Sequence, residues 1–217
     1  CECMCVIPHG LGLAKWHDHL ALPPSTGQSV RIGYITNYGV QKNFAVLFAA
    51  VARLQSLGIK PVLVLTLAPH VSEAQAVLDC ARQYGVAELI ENHGELSAPE
   101  INALYRSLHL FVFPSLCESF GFPMVEALAH GLPLLVADID SNIEVAGTAG
   151  LAFPPNDGPA LAALIHRLIE DPTWHQACAL ASHERAAHFT WHKAASATLE
   201  RMDRMLDAFR MQTISNR

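Results

Sequence analysis

The chain has 217 residues, 51% hydrophobic and 16% charged, with a formal net charge of −6 at pH 7. This composition fits one or at most two globular domains with a sizeable core and excludes a disordered chain. The acidic balance disfavours nucleic acid and anionic membrane surfaces, and no apolar run approaches the roughly 18–20 residues that span a bilayer.

Cys1, Cys3 and Cys5 alternate, so on an extended segment they would share one face. No CxxC accompanies them, and they read as small strand side chains rather than a soft-metal site. Cys80, Cys117 and Cys178 lie far apart in apolar or helical surroundings, which fits reduced thiols and a cytoplasmic setting. Residues 11–30 contain glycines, two prolines and Pro24-Ser25-Thr26-Gly27, and read as an irregular linker. His17-Asp18-His19 within it resembles a metal-site fragment but reads as solvated side chains.

Beyond the linker, short apolar runs alternate with longer helical patterns. The runs predict strands over 31–36, 61–66, 88–90, 109–113, 133–137 and 151–153. Most are continuous Val, Leu, Ile and Phe, as parallel strands covered on both faces require. Asn43 is placed to cap a helix whose stripe is Phe44, Leu47, Phe48, Val51 and Leu54, ending at Gly58. Further helices are expected over 72–84, 98–107, 123–130 and 158–170. The repeated strand–helix alternation predicts an α/β, Rossmann-like, doubly wound and mostly parallel sheet. After Asp171-Pro172 the pattern is wholly helical: 173–188, then a helix capped by Thr190 and running through Phe209. That last helix carries Leu199, Met202, Leu206 and Phe209, a stripe that needs a partner.

In open α/β sheets ligands bind beyond the carboxyl ends of the strands. The run after the fourth strand, Pro114-Ser115-Leu116-Cys117-Glu118-Ser119-Phe120-Gly121-Phe122-Pro123-Met124-Val125-Glu126, is therefore the first place to look for chemistry. Pro123 suits a first helical position, which sets Glu118 in the loop and Glu126 in the first turn, leaning back toward the same crevice. Gly121 admits close backbone approach, and the helix N-terminus favours anionic oxygens. Two hydroxyl-accepting carboxylates beside an anion site suit a nucleotide sugar. A bare pair of glutamates eight apart would mean only a helix-dipole residue and a solvated loop residue; here the surrounding residues decide.

Those residues resemble the E-x7-E signature of the group 1, or family 4, retaining glycosyltransferases, written PS-x-x-E-G-F-G-x-P-x-x-E-A-x-A. Pro114, Ser115, Glu118, Phe120, Gly121, Pro123, Glu126, Ala127 and Ala129 match it, and Ser119 departs where glycine is usual. Val6-Ile7-Pro8-His9-Gly10 is similar to the segment that closes the family's N-terminal domain. Asn92-His93-Gly94-Glu95-Leu96-Ser97 with Leu104-Tyr105, then Glu144-Val145-Ala146-Gly147 and Gly150-Leu151-Ala152-Phe153-Pro154-Pro155, resemble its later stretches in order.

The resemblance implies one half of a GT-B fold, the donor-binding domain. Residues 1–30 would then be a remnant of the N-terminal domain edge and linker. Residues 31–190 would be the donor-binding domain, and 191–217 a helix crossing back to a missing acceptor domain. The implied activity moves a sugar from a nucleotide-diphosphate sugar to a hydroxyl acceptor with retention, the acceptor being a glycan or glycolipid of surface polysaccharide synthesis. Glu118 would hold sugar hydroxyls and Lys42 the diphosphate; these are the catalytic candidates. Glu126 would hold the ribose, backbone around Ser119, Phe120, Gly121 and Phe122 the sugar or phosphates, and backbone near Leu96 the base. No metal or other cofactor is expected, the nucleotide sugar being a co-substrate, and membrane contact would be peripheral at the cytoplasmic face.

One departure weakens the parallel. The family carries an arginine on the diphosphate where this chain has Asn37, a donor without charge. That substitution, with the first domain expected to be missing, favours an alternative: a non-catalytic nucleotide-sugar or sugar-phosphate binding module. An unrelated flavodoxin-like regulatory domain is a third reading. Gly33 and Gly39 make no G-x-G-x-x-G, and the histidines of His183-Glu184-Arg185-Ala186-Ala187-His188 are five apart rather than four. Asp138-Ile139-Asp140 lies after a different strand from the E-x7-E loop.

Overall fold

The structure is a computed structural model that describes residues 5–11 and 20–215, with side chains as far as residue 208. Cys1, Cys3 and the His17-Asp18-His19 segment lie outside the described residues, as does the side chain of Phe209.

Val30, Ile32 and Tyr34 are buried, as are Leu63 to Leu65, all of Leu110–Phe113 and all of Leu134–Ala137. Runs buried on both faces need cover above and below. The six strands supply the middle layer: β1 (Val30–Tyr34), β2 (Pro61–Leu65), β3 (Ile90–Asn92), β4 (Leu110–Phe113), β5 (Leu134–Ala137) and β6 (Gly150–Phe153). Every pairing is parallel, and the spatial order is β3-β2-β1-β4-β5-β6.

Parallel neighbours require crossovers, and helices provide them: α1 (Phe44–Ser56), α2 (Ser72–Gln83), α3 (Ala98–Arg106), α4 (Phe122–Ala129) and α5 (Asp140–Ala146). The strand order runs one way from β1 to β3 and the other way from β4 to β6. Right-handed crossovers therefore set α1 and α2 on one face and α4 and α5 on the other. Helices α6 (Gly158–Glu170) and α7 (Pro172–Ala186) follow; α6 packs on α1, and α7 on α4. The last helix, α8, spans Trp191–Ser215. The sheet is the doubly wound Rossmann-like arrangement expected, parallel throughout.

The apolar stripe of α1 is buried as anticipated. Its capping differs. Asn43 adopts a left-handed conformation (φ 51°, ψ 48°) and makes no side-chain cap; its Nδ2 donates instead to the carbonyl of Pro155 at 2.6 Å. The third strand begins at Ile90, because Glu88 belongs to a single 3-10 turn, Ala87–Leu89. Helix α5 has no counterpart among the expected elements: seven residues are too few to show a helical period. Thr190 does cap α8, its Oγ1 accepting from the Lys193 amide at 3.2 Å. Leu199, Met202 and Leu206 on α8 are all more than half exposed. No described helix is long and apolar enough to cross a membrane. Cys5, Cys80, Cys117 and Cys178 are free thiols; Cys117 is exposed on the loop after β4 rather than in apolar surroundings.

Candidate functional site

Strands β1 and β4 are adjacent, with Ile32 opposite Leu110 and Gly33 opposite Phe111, yet their chains leave toward opposite sides of the sheet. At such a switch point the two following loops separate and leave a crevice. The loop after β1 runs from residue 35 to a 3-10 turn, Val40–Lys42; the loop after β4 runs from Pro114 to Gly121. Backbone joins them: the Leu116 amide donates to the Gln41 carbonyl at 2.8 Å.

That join brings Lys42 and Glu118 together. Nζ of Lys42 lies 2.6 Å from Oε1 of Glu118, with side-chain exposures of 15% and 17%. Ser115 donates from Oγ to the same Oε1 at 2.6 Å. An ammonium has three donors, so two remain on Lys42 for an anion. Oε2 of Glu118 receives no hydrogen bond from the described residues. Behind the pair, buried Tyr34 donates to the Lys42 carbonyl at 3.2 Å, and burial raises its phenol pKa so that it stays protonated. Asn142 of α5, fully buried, donates to the Ser115 carbonyl at 2.9 Å and fixes the loop from below.

A crevice of about 490 Å³ opens beside this pair, lined by Thr36, Asn37, Lys42, Gly94, Leu96 and Pro123 among others. Lys42, Asn37 and Leu96 thus share one cavity; Glu118 does not line it but pairs with Lys42, which does. A smaller hollow of about 300 Å³ continues from Asn37 and Glu95 toward Glu73 and Val71.

Gly121 ends the β4 loop with φ +79°, and a Cβ there would lie 2.5 Å from Met124 Cε and 3.2 Å from the Phe113 ring. Only glycine suits that turn, which ends the loop at the N-terminus of α4. Phe120 is buried, Phe122 is 41% exposed, and Ser119 borders a separate hollow with Phe120 and His9.

Glu126 sits differently from its expected place. Helix α4 begins at Phe122, so Glu126 falls in the second turn rather than the first, and it is buried. Its Oε2 accepts from the hydroxyl of Tyr105 on α3 at 2.9 Å, and the Tyr105 ring stacks on His130 at 4.8 Å. Burial and the Glu126 charge together raise the Tyr105 pKa well above its ordinary value. The two glutamates therefore face different partners: Glu118 the Lys42 ammonium, Glu126 a phenol between α3 and α4.

Ser115, Asn142, Tyr34 and Tyr105 do the holding, and none was singled out as a site residue from the sequence. Ser115 and Tyr105 stood inside the quoted motifs; Asn142 gave no signal, being on the unanticipated helix.

A fully parallel sheet in this order, with an ammonium and a carboxylate together at its switch point, defines an α/β domain of the Rossmann-like class. A family model described as glycosyl transferases group 1 matches residues 29–171, and the chain belongs to that family. It is 30% identical over 198 residues to the glycogen synthase of Mycobacterium tuberculosis, an alignment spanning 90% of this chain and 47% of that protein. Among solved structures, it resembles sucrose-phosphate synthase from Thermosynechococcus elongatus (TM-score 0.74, 23% identity, 93% of this chain and 52% of that one). It also resembles Anabaena Alr3699/HepE in complex with UDP and glucose (TM-score 0.69, 20% identity, 81% and 48%). The chain thus spans about half the length of each of these proteins or less.

Proposed function

We propose that this chain is the donor-binding part of a retaining glycosyltransferase, moving a sugar from a nucleotide-diphosphate sugar to a hydroxyl acceptor. The observation that carries this reading is the Lys42–Glu118 pair, of which Lys42 lines the switch-point crevice. A diphosphate needs a cation and a sugar needs hydroxyl acceptors; the pair offers both within one hydrogen bond of each other. Lys42 uses its two remaining donors on the departing diphosphate, and the amides of residues 119–122 face the sugar. Oε2 of Glu118 accepts from a sugar hydroxyl and orients the ring as positive charge grows on it. The base lies along Leu96 and the ribose toward Glu126. No residue in this account calls for a metal. The UDP and glucose held by the Anabaena protein accord with this class of ligand.

Asn37 lines the crevice without a charge, and that favours a second reading, a binding module without turnover. In either reading, the exposed Leu199, Met202 and Leu206 of α8 suit a surface covered by a further domain, the acceptor half. Turnover separates the two readings. The intact protein, assayed with a panel of nucleotide sugars and glycan or glycolipid acceptors, transfers sugar, and Glu118→Ala lowers kcat by about 10²–10³-fold. Binding without any transfer would favour the module.

A further inference from the structure

Residues 6–11 approach the site from outside the sheet. The His9 ring lies 5.2 Å from Phe120, edge-on at 70°, and 5.4 Å from Phe122. It also lies 6.2 Å from Trp191, the first residue of α8, edge-on at 71°. Phe120 and Phe122 meet each other at 5.1 Å, and Phe120 meets Phe189 at 5.7 Å. Five rings from three stretches of chain therefore form one cluster around the loop that ends at Gly121.

The segment that carries His9 is fastened. A Cβ on Gly10 would lie 2.4 Å from the Trp191 amide nitrogen and 2.6 Å from its Cα, so backbone rests on backbone and only glycine fits. The next residue, Leu11, is buried and donates its amide to the Phe189 carbonyl at 2.8 Å. His9 is thus held against the α7–α8 junction at one end and presses on Phe120 and Phe122 at the other. The loop is not tightly packed here: a hollow of about 240 Å³ lies between Ser119, Phe120, His9, Glu144 and Arg185. Where packing is open, ring contacts take a larger share in fixing the loop.

We infer that His9 is a positioning residue for residues 119–122: its ring holds Phe120 and Phe122 so that the loop presents its amides in one geometry. What those amides hold, the sugar end of the donor, rests on the function proposed above. The ring rather than the imidazole nitrogens does this, so His9→Phe keeps the effect and His9→Ala loses it.

Two readouts on the intact protein test it. Hydrogen exchange of the 119–122 amides speeds about tenfold in His9→Ala, returns toward wild type in His9→Phe, and stays unchanged in β4 and β5. Equal exchange in wild type and His9→Ala overturns the inference. Calorimetric titration with UDP, GDP, UDP-glucose and GDP-mannose gives the functional half. The affinity gained from the sugar falls roughly three- to tenfold in His9→Ala, while affinity for the bare nucleotide holds. An unchanged sugar contribution overturns the positioning role in donor binding. If the wild type binds none of the four, the proposed function fails, and exchange alone decides whether His9 fixes the loop.

Discussion

Nζ of Lys42 and Oε1 of Glu118 lie 2.6 Å apart, although the residues sit on different loops and 76 positions apart in the chain. Both side chains are mostly buried, so removing either leaves a poorly solvated charge. Lys42→Ala and Glu118→Ala are each expected to cost about 2–3 kcal/mol, with the double variant costing clearly less than the sum. Urea unfolding of the wild type and the three variants reads this; additive losses would mean the pair is not coupled.

Tyr105 gives Glu126 a hydrogen bond inside the protein. Tyr105→Phe keeps the ring against His130 and takes away only that donor, so a loss of about 1–3 kcal/mol is expected by chemical denaturation. Its effect on turnover is expected in KM for the nucleotide sugar rather than in kcat, since Glu126 is assigned to the ribose.

Asn37 lines the crevice at the position where the family resemblance implies an arginine. Asn37→Arg adds a charged donor near the diphosphate, and about 1.5–3 kcal/mol of added binding corresponds to roughly ten- to a hundredfold tighter donor affinity. Calorimetry with nucleotide diphosphates checks it. No gain would mean that the diphosphate lies away from Asn37.

A buried pair of histidines makes stability depend on pH. Burial lowers the pKa of His109, helped by the nearby charges of His175 and Arg31, and burial lowers that of His175 against the opposing pull of its hydrogen bond to the His109 carbonyl. His109 Nδ1 accepts from the Arg31 amide at 3.0 Å, so a proton there would set donor against donor. In the unfolded chain both titrate near 6.5, so below that pH the unfolded state binds more protons than the native one. Their stabilisation is complete above about pH 6.5 and is lost as pH falls through the lower native values. Urea midpoints at pH 7.5, 6.5 and 5.5 should decline in that order, and His109→Asn, which keeps an acceptor for Arg31, should decline less. The exposed carboxylates with lowered pKa, Glu73, Asp79 and Glu100, act only in a more acidic window.

Most of the fold was legible because the strands buried on both faces are written as unbroken apolar runs, and α1 as a clean stripe. Helix α5 was not, being seven residues without a period. Asn43 holds the N-cap position of α1 as the sequence suggests, but its left-handed backbone and its side chain's bond to Pro155, 112 residues away, leave no local trace in the sequence. Lys42 and Glu118 are legible as candidates from residue type and position. That they touch is not, since the contact follows from β1 and β4 being neighbours, a fact of topology. Glu126 falls in the second turn rather than the first because the helix starts one residue earlier than Pro123, at Phe122.

The central claim is that the switch-point crevice binds a nucleotide-diphosphate sugar through Lys42. Thermal unfolding of the intact protein against UDP-, GDP-, ADP- and dTDP-sugars, with wild type and Lys42→Ala side by side, tests it most directly. A ligand that binds the folded state at 100 times its Kd adds about 2.7 kcal/mol of stability. The account predicts that at least one of the four classes raises the wild-type midpoint and that Lys42→Ala loses most of the rise. No rise with any of them, or an equal rise in the variant, would contradict it.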